Sequence, residues 1–200
     1  MKLFLTSAGF ATKKLQAFLL LHLENVPENF KVAMLSLIQN DNEQYYADLS
    51  KKEMESMGFK HVMVINLANS VSDDVLDGAN IIYVCGGNTF SIYKRIRELG
   101  LDKKIIEKVK NNVIYVGVSA GSIIAGPSLE IANWGSEGDE NTVGLEDLGG
   151  LSLANVSIFP HYRSELKTEV EEFRKIVNYP VVKITNEQLV YIEGEKIEIV

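Results

Sequence analysis

The stretch Asn112-Val113-Ile114-Tyr115-Val116-Gly117-Val118-Ser119-Ala120-Gly121-Ser122-Ile123-Ile124-Ala125-Gly126 decides how this chain is read. From Val113 to Val118 it is a run of β-branched and aromatic residues with one glycine and no charged position, the pattern of a strand covered on both faces. From Ala120 the residues turn small and helical in pattern, and Gly126-Pro127 closes the segment. A strand that enters a helix through so tight a turn is the repeating unit of a parallel α/β sheet, where each strand returns by a crossover.

The same alternation extends to both sides. Apolar runs at residues 2–6, 31–37, 61–67, 80–85, 155–159 and 181–184 predict strands. Helical spacing predicts helices over 11–23, 43–57, 90–99, 102–110 and 165–177, with Gly58 and Gly100 at two of the stops. Residues 188–192 and 196–200 read as a β-hairpin across Glu193-Gly194-Glu195. The expectation is one domain over residues 1–200: an α/β three-layer sandwich with a mostly parallel sheet and a C-terminal β-hairpin. Reactive groups in such sheets gather at the carboxyl ends of the strands.

Composition narrows the function classes. Of 200 residues, 46% are hydrophobic and 24% charged, which suits a soluble globular chain, and the net charge is −7. Lys and Arg are interleaved with Glu and Asp, as between Glu165 and Lys175, so nucleic acid is not an expected partner. The apolar run after Met1-Lys2 is too short for a signal peptide, and residues 17–23 fall far below a membrane span. With Cys85 the single cysteine, no disulfide within the chain can form. A cytoplasmic location is the expectation, with no membrane partner. Three scattered histidines and one cysteine offer no metal-ligand spacing, so neither a metal nor a cofactor is expected. Oligomeric state is not legible.

Gly117-Val118-Ser119-Ala120-Gly121 fits the G-x-S-x-G pattern, and its strand–turn–helix context is that of a nucleophile elbow. Small neighbours let the backbone turn sharply and hold the Ser119 hydroxyl at the strand tip. The plain alternative is a Gly-rich turn of an ordinary α/β fold. A second turn, Gly86-Gly87-Asn88-Thr89, also follows a strand and opens a helix. There Gly86, Gly87 and Asn88 are candidates for binding substrate, and the Gly87 and Ala120 N–H groups could form an oxyanion hole. Alternatively Asn88 or Thr89 simply caps the helix. A serine nucleophile needs a base. His22 lies on an apolar helical stripe and His61 opens a strand, whereas His161 follows the strand at 155–159 and shares the rim of Ser119. His161 is the expected base. For the acid, the segment 134–140 offers Glu137 first and Asp139 second, with Glu130 third; a solvated acidic loop is the alternative.

Taken together, Val84-Cys85-Gly86-Gly87-Asn88-Thr89-Phe90, Gly117-Val118-Ser119-Ala120-Gly121-Ser122 and Phe159-Pro160-His161-Tyr162 resemble the peptidase E family of serine peptidases, which includes aspartyl dipeptidases and, more distantly, cyanophycinases. The resemblance covers residues 1 to at least 175. It implies a class I glutamine amidotransferase-like (flavodoxin-like) fold, with Ser119 attacking a peptide carbonyl and His161 moving the proton. It implies a short peptide as substrate, Asp-X dipeptides among them. Where aspartyl dipeptidases carry their acid, this chain has Asn133 and Trp134; Glu137 corresponds better to the glutamate of cyanophycinase-like members. The family's aspartate-binding arginine has no clear match among Arg163, Lys167, Arg174 and Lys175. An esterase or amidase acting on small acyl groups, and a silent binding member of the same fold, are the alternatives.

Overall fold

The computed structural model describes residues 1–200, and its elements follow the alternation in the sequence. In chain order they are β1 (Lys2–Thr6), α1 (Lys13–Leu21), β2 (Lys31–Ser36), α2 (Asp41–Ser56), β3 (His61–Asn66), β4 (Ile81–Val84), α3 (Thr89–Glu98) and α4 (Leu101–Lys110). Then come β5 (Ile114–Val118), α5 (Ala120–Ile124), β6 (Ser157–Phe159), α6 (Lys167–Ile176), β7 (Val181–Lys183), β8 (Leu189–Glu193) and β9 (Lys196–Ile199). Seven strands form one sheet in the order β3-β2-β4-β5-β1-β8-β9. The first five are parallel; β8 runs antiparallel to β1, and β9 antiparallel to β8, which is the hairpin expected at the C-terminus.

Side-chain alternation on the buried strands divides the core in two. Leu3, Leu5, Ala33, Leu35, Ile82, Val84 and Tyr115 face α3 to α6. Phe4, Val32, Met34, Ile81, Tyr83, Ile114 and Val116 face α1 and α2. The sheet is therefore the middle of three layers, as the apolar runs require.

Two differences from the expected elements have local causes. The helix expected from residue 43 begins at Asp41, because Asn40 caps it: Asn40 Oδ1 accepts Glu43 N–H at 3.0 Å, and Glu43 Oε2 accepts Gln39 N–H at 2.6 Å. The runs at 155–159 and 181–184 do not join the main sheet. They pair with each other in parallel, Ser157 opposite Val181 and Phe159 opposite Lys183, as a second two-stranded sheet. The edge of β1 that faces away from β5 is filled by β8, so this short pair packs on the outer side of α5 instead. No helix is long and apolar enough to cross a membrane.

The crossing of β4, β5 and α5 leaves no room for side chains. A Cβ on Gly121 would lie 2.2 Å from Val84 O, and one on Gly117 would lie 2.6 Å from Gly121 O. Both glycines of the turn are thus required by close backbone approach rather than by flexibility.

Candidate active site

β5 delivers Ser119 to the carboxyl edge of the sheet in a conformation few residues adopt, with φ 48° and ψ −107°. Backbone of this kind costs about 1–3 kcal/mol and persists only where the surroundings dictate it. Here they do. Ser119 N–H donates to Thr6 O at 3.0 Å, and Ser119 O accepts Ser122 N–H at 2.9 Å and Ile123 N–H at 3.1 Å. Buried Ser122 bridges the two strands beneath, its Oγ lying 2.7 Å from Thr6 O and 2.8 Å from Gly117 O. Tyr115 Oη donates to Gly121 O at 2.7 Å from the far side.

His161 meets the serine from the neighbouring connection. It follows β6 and Pro160, and it too has a left-handed backbone, φ 55°. Ser119 Oγ lies 2.8 Å from His161 Nε2. On its other side the ring faces an amide: His161 Nδ1 is 2.8 Å from Asn186 Oδ1, just beyond β7. Ser7, at the carboxyl end of β1 and fully buried, ties the two together. Its hydroxyl donates to Asn186 Oδ1 at 2.8 Å, accepts His161 N–H at 2.7 Å, and stands 3.2 Å from Nδ1. Asn186 Oδ1 has two lone pairs, one for the Ser7 hydroxyl and one for an Nδ1–H. That pattern puts the ring proton on Nδ1 and leaves Nε2 as acceptor for Ser119.

The carboxylates expected beside His161 are elsewhere. Glu137 forms an ion pair with Arg163 on the surface. Asp139 is spent on α3, accepting Thr89 N–H at 2.8 Å and the Thr89 hydroxyl at 2.6 Å. Glu130 accepts from the Ser128 hydroxyl at 3.2 Å. Each has a nearer donor than the imidazole, and Asn186 and Ser7 already occupy Nδ1. Trp134 is tied to α6, its Nε1–H donating to Glu169 O at 2.8 Å.

The Gly-rich turn after β4 lies alongside. A Cβ on Gly86 would come 3.4 Å from the Cβ of Ser119. The Gly87 N–H, on backbone with φ 135°, has no acceptor within the protein, and Ala120 is the first residue of α5, where an N–H has no helical partner. Asn88, a candidate for substrate binding, is instead engaged at both ends of its amide: Oδ1 caps α3 by accepting Ser91 N–H at 3.0 Å, and Nδ2 donates to Glu140 O at 2.9 Å. Cys85 adjoins this turn but is buried, and burial pushes its thiol up to about 12, so it stays protonated near neutral pH. No group of three or more His, Cys, Asp or Glu side chains is placed to hold a metal ion.

Two cavities open at Ser119. One, of about 690 Å³, is walled by Trp134, Tyr162, Arg163 and Asn186. The other, of about 590 Å³, is walled by Gly86, Gly87 and α2. His22, by contrast, lies at the end of α1 in an aromatic nest, 4.2 Å from the Phe18 ring and 4.5 Å from that of Tyr191.

Asn186 and Ser7 were not among the residues singled out from the sequence. A signal was available: both follow apolar strand runs, 181–184 and 2–6, and so stand on the same carboxyl rim as Ser119 and His161.

Known proteins resemble this chain in sequence and fold. A model of peptidase family S51 matches residues 4–200. An uncharacterised peptidase of Listeria monocytogenes is 27% identical over an alignment of 160 positions that covers 76% of this chain and 77% of that protein. Peptidase E of Escherichia coli is 36% identical over 100 residues, 49% of this chain and 42% of that one. That match spans less than half of the relative's length. Among solved structures, a Listeria monocytogenes protein provisionally described as a peptidase E covers 100% of this chain and 97% of its own, with a TM-score of 0.83 and 25% identity. A peptidase from an acI-B1 actinobacterium shares the fold, with a TM-score of 0.59 at 14% identity.

Proposed function

Because the chain belongs to peptidase family S51, we propose that it hydrolyses short peptides through an acyl-enzyme on Ser119, with His161 as general base and Asn186 holding the imidazole in register. The observation that carries this reading is the 2.8 Å contact between Ser119 Oγ and His161 Nε2 at a strained strand tip.

The chemistry follows from the hydrogen bonds. With its proton on Nδ1 and donated to Asn186 Oδ1, the ring presents a lone pair at Nε2. Ser119 Oγ gives its proton to Nε2 as it attacks the scissile carbonyl carbon. The carbonyl oxygen becomes an oxyanion facing the Gly87 and Ala120 N–H groups, whose alignment precedes the reaction. His161 then passes the proton from Nε2 to the departing amine, leaving an ester on Ser119. Water, deprotonated by the same nitrogen, releases the acid and restores the hydroxyl.

Asn186 differs from a carboxylate in one respect. It fixes tautomer and orientation but supplies no negative charge to the imidazolium that forms, so stabilisation of that cation rests on dipoles alone. That neutrality favours a second reading, hydrolysis of small esters or activated amides, whose leaving groups demand less of the acid. Asp-X specificity meets a separate obstacle. Arg163 is the guanidinium on the cavity wall, and it is already paired with Glu137. Neither recess at Ser119 therefore offers an aspartate side chain a free cation.

A panel of dipeptides varied at the first residue, run beside small acyl esters, tests the function. Peptide cleavage by the purified protein, absent from a Ser119→Ala preparation, is the expected result. Ester turnover with every peptide left intact would move the assignment to the second reading.

A further inference from the structure

The recess on the Gly86-Gly87 side of Ser119 carries a charge that nothing in the protein balances. Glu53, on α2, lines it together with Glu43, Ser36, Ser50 and Tyr46, and no Lys or Arg reaches it. The Glu53 carboxylate is half-buried, takes part in no ion pair, and has one hydrogen-bond donor, the Phe10 N–H at 2.9 Å. Burial raises its carboxyl above the ordinary carboxylate range, an effect that the Phe10 hydrogen bond only partly offsets. The chain beside it is pared back to admit it: a Cβ on Gly9 would sit 2.7 Å from Glu53 Oε2. A half-buried carboxylate without a cation destabilises the fold, and it makes sense where a ligand brings the cation.

The reaction geometry says which part of a ligand arrives there. Ser119 and His161 border both recesses, whereas Gly87, whose free N–H would receive the carbonyl oxygen, borders only the one beside α2, so the attacked carbonyl is assigned to that flank and the departing half to the flank of Tyr162 and Arg163. The acyl half is left the other flank, beside Gly86 and Gly87.

Resting on the assignment of Ser119 as nucleophile, we propose that this recess is the acyl-side specificity subsite and that Glu53 binds an ammonium group of the residue whose carbonyl is attacked. The ammonium is either a free α-amino terminus or a basic side chain. Glu53 and Glu43 together would repel an acidic side chain in the same place, which separates this subsite from one built for aspartate.

Binding without turnover isolates the claim. Ser119→Ala protein is titrated by calorimetry with Lys-Leu, norleucyl-Leu and the Nα-acetylated form of each, and the series is repeated with Glu53→Gln added. At least one of the three peptides carrying an ammonium on its first residue is expected to bind tenfold or more tighter than acetyl-norleucyl-Leu, and Glu53→Gln is expected to reduce that advantage below twofold. A loss caused by acetylation alone assigns the α-amino group; a loss caused by norleucine alone assigns the side chain. Equal binding of all four, no binding by any, or an advantage that survives Glu53→Gln overturns the proposal. Glutamine keeps an acceptor for Phe10 N–H and removes an ionised group that is unfavourable above its raised pKa. The thermal midpoint at pH 7 should therefore stay level or rise; a clear fall would mean the charge is already compensated and would also overturn it. Turnover of the unmutated protein, measured in parallel, reports on the hydrolase reading separately. Ammonium-selective binding without turnover sinks that reading alone, and turnover without selectivity sinks the subsite alone.

Discussion

Ser119→Ala lowers kcat/KM on the best dipeptide by roughly four to six orders of magnitude, the scale on which a nucleophile acts in a covalent hydrolase. The reason is positional as much as chemical. Ser119 is held at φ 48° by hydrogen bonds to Thr6, Ser122 and Ile123, and no other hydroxyl is presented at the strand tip against His161 Nε2. Ser7 faces the opposite nitrogen, and buried Ser122 is committed to Thr6 O and Gly117 O. Alanine fits the same backbone and keeps the small volume, so the variant should fold and should bind peptide while failing to turn it over. A residual rate within tenfold of the unmutated protein would mean that water is activated directly.

His161→Ala is expected to reduce turnover by a similar factor, about 10⁴ or more, because without Nε2 the serine hydroxyl has nowhere to send its proton. The two losses should not add. Ser119→Ala with His161→Ala should be no slower than either alone within a few-fold, since both remove the same proton-transfer event. Steady-state kinetics on the three variants checks this; a double variant slower by the product of the single effects would show that the two groups act independently. Any residual rate in all three would come from the Gly87 and Ala120 amides and from binding.

How much of this was legible in the sequence follows from how local each signal is. The fold was legible because the strand runs are continuous, apolar and four to six residues long in the parallel core, and helix stops carry glycine at 58 and 100. The elbow was legible for the same reason: strand, turn and helix are adjacent in sequence. The pairing of β6 with β7 was not, because three-residue strands carry no mark of their partner. The amide that lies against His161 was not anticipated, for a chemical reason. The reading looked for a carboxylate between serine and histidine, and the residue that meets Nδ1 is an amide 25 positions after the histidine. Glu137 and Asp139 have the right chemistry and order, but Arg163 and the first turn of α3 claim them. Such competition is decided by tertiary contacts that spacing does not report. For Asn88, singled out for substrate binding with helix capping as the alternative, the side chain is seen in the capping role.

The central claim is that the Ser119 hydroxyl is activated by the imidazole beside it, and covalent capture tests that most directly. After incubation with a neutral alkyl fluorophosphonate, intact mass and peptide mapping should show one phosphonyl adduct, on Ser119, with labelling slowed at least a hundredfold by His161→Ala. A mass that stays unchanged through prolonged exposure, or an adduct on a different residue, would contradict the account.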